Sequence, residues 1–223
     1  MEAAKHRIGG SDYVGVFATA TDRHVFLGVG LPDNNKELLE QVLGVRGVRI
    51  SLSSSSLVGL FSRANSNGIV LSSLAFEEEL REVRKLLPDI KVGMVDSDLN
   101  AIGSNILAND RMAIVNPDFD HMAITQIRDI LDVEIVKREI GGFKTVGANN
   151  ILTNRGFVIN NRSTDEEKEE LDALVGFSSV RTTANKGSLA LGLSAVANSG
   201  AVLAGDSTTG YELARIVEAL EQK

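Results

Sequence analysis

The sequence predicts an α+β fold in which five β-β-α-β repeats of about 44 residues close into a ring with five-fold pseudosymmetry. Glycines that follow an apolar residue recur at spacings of 44, 44, 44 and 45 residues: Gly15, Gly59, Gly103, Gly147 and Gly192. A short apolar run recurs every 44 residues, starting at Val25, Ile69, Ala113, Phe157 and Ala201. Five such units nearly fill the 223 residues. Recurrence at one fixed step over a whole chain is typical of repeat architectures.

The second repeat shows the predicted unit in order. Residues 57–62 are apolar and predict a first strand, and the polar turn Ser66-Asn67-Gly68 follows, since Asn-Gly tolerates the positive φ of tight hairpins. Residues 69–71 are continuously apolar, which predicts a strand buried on both faces. Residues 77–87 place leucine and valine on one face and charges on the other, as an amphipathic helix does. Residues 90–95 predict the third strand.

Helix boundaries are marked by residues that favour the ends of helices. Thr164 and Thr209 are each followed three residues later by glutamate, the spacing of a capping box. Gly44 and Gly176 stand where a helix is expected to end.

The repeats predict a single domain, 1–223, with units at approximately 13–56, 57–100, 101–144, 145–187 and 188–223. A single unit cannot bury both its helix and its sheet, so neighbouring units must cover each other. Neither terminus carries an atypical capping unit, which favours a closed ring over an open solenoid. The recurring glycines are interpreted as structural, because a Cβ would intrude where five first strands converge on the axis.

Composition narrows the classes of function. The chain has 23 Lys and Arg against 30 Asp and Glu, a net charge of −7 that argues against non-specific nucleic-acid binding. It has no cysteine, which removes disulfides, thiolate nucleophiles and cysteine-based zinc sites. No apolar run is long enough to cross a bilayer, and the N-terminal residues lack the apolar segment of a signal peptide. We expect a cytoplasmic protein that is a monomer and makes no membrane contact.

Several stretches together resemble the archaeal form of the translation initiation factor 6 family. The matching stretches are "LVGLFSRANSNGIVL", "NAIGSNILANDRMAIVNPDFD", "TVGANNILTNRGFVI", "TTANKGS" and "GDSTTGYELARIVEAL". The resemblance covers essentially the whole chain and implies the pentein fold, an αβ-propeller of five units. The sequence departs from the family at two loops, where Ser72 and Asn161 replace a proline that Asn116-Pro117 keeps.

The resemblance implies a translation factor that binds the large ribosomal subunit and prevents its association with the small subunit. It implies contacts with ribosomal proteins near the sarcin–ricin loop, with ribosomal RNA as a further candidate contact, and a role in large-subunit maturation. It also implies release by a GTPase together with a maturation factor. No cofactor is expected.

Other pentein proteins are enzymes that act on guanidino compounds through a Cys nucleophile, a His base and carboxylates. This chain has no cysteine, and no catalytic role is assigned to His6 in a predicted tail, His24 after a turn or His121 at a helix start. Asp118 and Asp120 are predicted to cap the third helix and not to bind metal. Two alternatives stay open: a pentein enzyme or small-ligand binder with carboxylates around the channel, and an interaction ring with another partner.

The repeat itself predicts a binding surface, since equivalent positions of a ring lie at the same end. The hairpin tips carry Arg23, Asn67, Arg111 and the pair Asn154-Arg155 at equivalent places, and Arg63 lies nearby in the sequence. Arginine binds carboxylate or phosphate through two hydrogen bonds. The loop pair Asn185-Lys186 is a second candidate. These eight residues are the predicted ribosome-binding residues.

Overall fold

The computed structural model describes residues 1–221, and within them five three-stranded sheets each carry one long helix. The sheets, in chain order of their hairpins, are β2 (Ala18–Ala20), β3 (His24–Gly28) and β4 (Arg46–Ile50); β5 (Ser62–Ala64), β6 (Gly68–Ser72) and β7 (Lys91–Val95); β8 (Ile106–Ala108), β9 (Met112–Val115) and β10 (Glu134–Lys137); β11 (Ile151–Leu152), β12 (Phe157–Asn160) and β13 (Ser179–Thr182); and β14 (Ala195–Ala197), β15 (Ala201–Gly205) and β1 (Glu2–His6). The long helices are α1 (Asp33–Leu43), α3 (Glu77–Leu86), α5 (His121–Leu131), α7 (Asp165–Val175) and α9 (Gly210–Leu220).

Each sheet has the predicted β-β-α-β connection. The second strand lies in the centre, antiparallel to the first and parallel to the third, which the helix crossover supplies. All five residues of β6 are buried, as its continuous apolar run predicted. The buried hydrophobic residues form five clusters, and the cluster around Leu107, Ile114 and Ile159 joins residues of two successive units. The units therefore cover each other's apolar faces.

The N-terminal segment is a strand and not the tail that was predicted for His6. Strand β1 lies parallel to β15, with Glu2 opposite Ala201 and His6 opposite Gly205. It supplies the third strand of the fifth sheet, because the chain after α9 carries no further strand in the described residues. The start of the chain thus completes the unit that the end of the chain begins.

The recurring glycines lie in short helical turns, so their assignment to a first strand was wrong. Gly15 lies in a 3₁₀ turn, Val14–Val16, and the other four glycines lie in α2 (Val58–Phe61), α4 (Ile102–Asn105), α6 (Val146–Asn149) and α8 (Leu191–Ser194). The first strand of each unit is only two or three residues long and begins after the turn. An apolar run this short does not distinguish a helical turn from a strand by periodicity.

The structural role predicted for these glycines is confirmed by the packing of the five turns. A Cβ on Gly103 would lie 1.8 Å from the Gly59 carbonyl oxygen, and one on Gly59 would lie 1.9 Å from the Gly15 oxygen. The same approach, at 2.0–2.2 Å, links Gly147 to Gly103, Gly192 to Gly147 and Gly15 to Gly192. The contacts pass through all five turns and return to the first, so the turns form a continuous collar around the axis.

The hairpin turns are built by a side chain that precedes them and not by a positive φ at Asn67-Gly68. Neither residue is among those with positive φ. The Asn65 Oδ1 atom accepts hydrogen bonds from the backbone N–H groups of Asn67 (2.9 Å) and Gly68 (3.0 Å), which is an Asx turn. Gly68 is required for close packing, since a Cβ there would lie 2.1 Å from the Ile130 carbonyl oxygen.

The predicted helix boundaries are largely confirmed. Gly44 and Gly176 follow α1 and α7 in the left-handed conformation, with φ of 67° and 82°. Thr209 and Glu212 form a complete capping box at α9. The Asp120 side chain accepts a hydrogen bond from Ala123 N and caps α5.

Two capping predictions were wrong in part. Thr164 accepts from Glu167 N, but the Glu167 carboxylate leaves the cap and accepts from Gly141 N at 3.0 Å. Asp118 does not cap α5. Its carboxylate instead pairs with the Lys144 Nζ atom at 2.8 Å. Both carboxylates bind the same loop, which connects β10 to α6, and sequence spacing alone does not reveal these contacts.

The loops that enter units two, four and five are held by a carboxylate at the third position of the following long helix. The Glu212 carboxylate accepts from Thr209 N, Gly187 N and Thr183 Oγ1 at 2.7–2.8 Å, and from Lys186 N at 3.2 Å. Burial alone would raise the pKa of Glu212, but these donors together lower it to about 2 from 4.5. The Glu79 carboxylate likewise accepts hydrogen bonds from Ser53 N and Ser54 N in the loop that enters unit two.

We expect Glu212→Gln to destabilise the fold by about 2 kcal/mol near pH 7, after an allowance for solvent screening. The folded-state pKa lies below the unfolded value, so this stabilisation is present above about pH 4.5 and is lost as the pH falls toward 2. Urea unfolding of both proteins across this pH range measures it, with Glu169→Gln at an exposed position of α7 as the control. If the difference in free energy of unfolding between wild type and variant does not narrow in acid, the stabilisation does not come from the Glu212 carboxylate.

Candidate docking surface

The five hairpin tips meet at one end of the ring through a set of hydrogen-bonded side chains that we call the inner belt. The inner belt consists of the equivalent residues Asp22, Ser66, Asp110, Asn154 and Ser199. Ser66 N donates to Asp110 Oδ1 at 2.8 Å, and Asp110 N donates to Asn154 Oδ1 at 2.9 Å. Ser199 N donates to Asp22 Oδ1 at 2.7 Å. The tips therefore hold each other in place.

Asn154 is the central member of the inner belt. Its Nδ2 atom donates to both Asp22 Oδ2 and Asp110 Oδ2 at 2.8 Å, and so joins the first and fourth units across the ring. With its Oδ1 atom accepting from Asp110, every polar group of the side chain has a partner within the belt. Asn154, one of the predicted site residues, therefore holds neighbouring tips together.

The residues that follow the inner belt in the sequence lie outside it, and three of them are arginines. Arg23, Arg111 and Arg155 are exposed, and we call these three residues the arginine rim. The Arg111 guanidinium lies 5.9 Å from the centre of the Phe177 ring, a cation–π contact. In the described residues none of the three is in an ion pair. The rim thus presents three guanidinium groups on a fixed support.

The remaining two tips lack this charge. Asn67 is half-buried and donates from Nδ2 to the Leu131 carbonyl oxygen at 3.2 Å, and the fifth tip has Gly200 at this place. Among the five equivalent tip positions, arginine therefore stands in units one, three and four. The pKa of His24 in unit one is lowered first by burial and then by repulsion from the positive charges of Arg23 and Arg46.

Arg63 does not join the rim, contrary to its predicted grouping with the tips. Its side chain lies in the central channel, where Nη2 donates to the Gly103 carbonyl oxygen at 2.5 Å and approaches that of Gly147 at 3.5 Å. The glycine collar gathers backbone carbonyls there, and their negative ends attract a guanidinium. Burial lowers the pKa of Arg63 to about 10, so the group is charged at neutral pH.

Asn185 and Lys186 are also apart from the rim. Strand β13 runs parallel to β12, which leads away from its hairpin tip, so the loop after β13 lies at the opposite end of the unit. Asn185 and Lys186 have φ of 47° and 62°, and the Asn185 Nδ2 atom donates to the Asp12 carbonyl oxygen at 2.9 Å. The Lys186 side chain is exposed. The structure does not bring these two residues together with the arginine rim.

Sequence reasoning missed the residues that shape the tips. The side chains of Thr21, Asn65, Asn109, Thr153 and Asn198 each accept hydrogen bonds from the two backbone N–H groups that close their turn. The available signal was the recurrence of Thr or Asn at the same step as the glycines. These side chains fix the direction in which the rim residues leave the ring.

A reaction centre would need metal ligands or reactive side chains among the described residues. They contain no group of three His, Cys, Asp or Glu side chains placed to hold a metal ion. The axial cavity measures about 40 Å³, and its lining includes no carboxylate. Asp22 and Asp110, which border the next cavity toward the tips, are both engaged in the inner belt. No helix of this part of the chain has the length and apolarity needed to span a bilayer.

Structure comparison identifies the class of fold. The chain superimposes on a dimethylarginine dimethylaminohydrolase, solved as an adduct with S-methyl-L-thiocitrulline, with a TM-score of 0.51. The match covers 98% of this chain and 95% of that chain at 10% sequence identity. Identity this low shows the fold alone, and together with the five repeated sheets it identifies a pentein-fold protein.

Sequence comparison identifies the family. The model of the eIF-6 family matches residues 3–219. Proteins named translation initiation factor 6 are similar over nearly their whole length: that of Thermococcus onnurineus is 36% identical over 99% of this chain and 98% of its own. That of Methanosarcina acetivorans is 39% identical over 93% of each chain, and that of Saccharolobus islandicus 32% over 99% of each. The chain belongs to the eIF-6 family, whose members are named as translation factors.

Proposed function

We propose that this protein binds the large ribosomal subunit, prevents its association with the small subunit and takes part in large-subunit maturation. It acts in the cytoplasm as a monomer and without a cofactor, and a GTPase with a maturation factor releases it. Family membership supports this role. The observation that carries the proposed mode of binding is the arginine rim, three exposed guanidinium groups on tips that the inner belt holds rigid.

The rim suits a partner with carboxylate or phosphate groups. A guanidinium binds either group through two hydrogen bonds. Ribosomal proteins near the sarcin–ricin loop, with the ribosomal RNA beside them, offer both. The uneven distribution over units one, three and four gives a nearly symmetric ring one preferred orientation on an asymmetric partner. Lys186 and Asn185, at the opposite end, are left for a second contact.

The alternative of an enzyme acting on guanidino compounds is less well supported. A cavity of about 40 Å³ is too small for an arginine-sized substrate, and the half-buried Arg63 side chain already occupies the channel. A cation there repels a guanidinium substrate. We therefore propose a binding protein that performs no catalysis.

Reversing the rim charges tests the proposed surface. We expect the triple variant Arg23→Glu, Arg111→Glu, Arg155→Glu to bind purified large subunits at least about 30-fold more weakly, because each attraction becomes a repulsion. Sedimentation of labelled protein with subunits, at two salt concentrations, measures the affinity. The matched control reverses Arg7, Arg81 and Arg162, which lie outside the rim. Unchanged affinity in a folded triple variant would reject the rim as the docking surface.

A further inference from the structure

The central channel holds the half-buried guanidinium group of Arg63, whose positive charge no carboxylate neutralises in the described residues. Within residues 1–221 Arg63 is in no ion pair, and its guanidinium finds two acceptors there, both carbonyl oxygens of the glycine collar bound by Nη2. Hydrogen bonds to neutral carbonyls compensate a buried charge only in part. The repeat does not explain the charge, since the equivalent residues of the other units are Thr19, Leu107, Ile151 and Val196.

Two further polar groups in the same cavity have no hydrogen-bond partner in the part of the chain that the structure describes. They are the buried Nε atom of Arg63 and the Oγ1 atom of Thr19, a residue that is 4% exposed. Both residues line the cavity of about 40 Å³ between the glycine collar and the tips. Much of the remaining lining is alanine, including Ala18, Ala20 and Ala64.

The chemistry of the two groups indicates what the cavity accepts. The Arg63 Nε–H group is a donor only, and the Thr19 hydroxyl can rotate to donate. Two donors beside an uncompensated positive charge favour an acceptor with negative charge. A volume of about 40 Å³ has room for a halide-sized ion together with one or two water molecules, since one water needs about 10–15 Å³.

We propose that the axial cavity is a binding site for a small monovalent anion, chloride in the cell, held by Arg63 Nε and Thr19 Oγ1. The anion neutralises the guanidinium, whose Nη2 atom stays on the collar carbonyls. It thereby stabilises the ring at its axis, where the five units meet. This site lies inside the ring and is independent of ribosome binding.

Bromide is the probe, because it replaces chloride and scatters anomalously. Crystals of the full chain grown in sodium bromide are expected to show an anomalous peak within about 3.5 Å of both Arg63 Nε and Thr19 Oγ1. Ordered water in the cavity without anomalous signal, or bromide confined to the outer surface, would overturn the proposal.

Thermal unfolding provides a solution test. We expect the Tm to be about 2–5 °C higher in sodium chloride than in sodium gluconate at equal ionic strength, as follows when an anion binds only the folded state. Thr19→Val keeps the cavity charge and the shape of the residue but removes the hydroxyl, and it is expected to reduce this halide-dependent shift. Arg63→Gln is expected to abolish it. A shift that Thr19→Val leaves unchanged, or equal Tm values of the wild type in both salts, would contradict the site.

Discussion

Replacing Gly103 with alanine is expected to destabilise the ring by more than about 3 kcal/mol or to prevent folding. The new Cβ would lie 1.8 Å from the Gly59 carbonyl oxygen and 2.7 Å from that of Ser62. Both atoms belong to backbone, so no side chain can move aside, and packed interiors accommodate such overlap poorly. A displaced turn would also disturb its neighbours, since the collar is continuous. Urea unfolding followed by circular dichroism measures the loss.

The control for this variant is Gly210→Ala at the first residue of α9. A Cβ there meets no atom within 4 Å, and Gly210 is not among the residues with positive φ. Alanine also has the higher helix propensity, so we expect no loss of stability or a small gain. If Gly103→Ala proved as stable as Gly210→Ala, the glycine collar would not be a tightly packed element.

Removal of residues 1–7 is expected to have the second large effect, because it takes away β1. The fifth sheet would keep only β14 and β15, and the buried strand β15 would become an edge along the five residue pairs that β1 now covers. Open edges promote association between chains, and two-stranded sheets are marginal. We expect a loss of at least about 4 kcal/mol or aggregation, measured by unfolding and by light scattering.

A peptide added in trans provides the control for the truncation. A synthetic peptide of residues 1–8 is expected to restore the sheet by strand addition, and a scrambled peptide of the same composition is not. Full stability of the truncated chain without a peptide would show that β1 does not complete the fifth unit.

The step of 44 residues made the overall fold predictable, whereas local geometry was predictable only where one residue determines it. The helices were located by their amphipathic pattern, and Gly44 and Gly176 marked ends because a left-handed residue favours glycine. The glycine turns were misassigned because stretches of three or four residues are too short to show a helical period. The role of β1 depends on the two ends of the chain meeting, which no local pattern expresses.

The candidate site was also predictable in part. Repeat equivalence predicted that Arg23, Arg111 and Arg155 lie at one end, because equivalent residues of a ring share a height on the axis. It could not predict that Arg63 points inward, since the carbonyls that attract this side chain come together only when turns of units three and four assemble. Asn154 was placed correctly at a tip, but its bonds to two aspartates arise from convergence of the tips across the ring.

Co-sedimentation of the wild-type protein with purified ribosomal subunits tests the central claim most directly. The protein is expected to pellet with large subunits at one copy per subunit, to remain in the supernatant with small subunits, and to reduce joining when both are mixed. A protein that stays in the supernatant with large subunits, or that leaves joining unchanged at saturation, would contradict the proposed function.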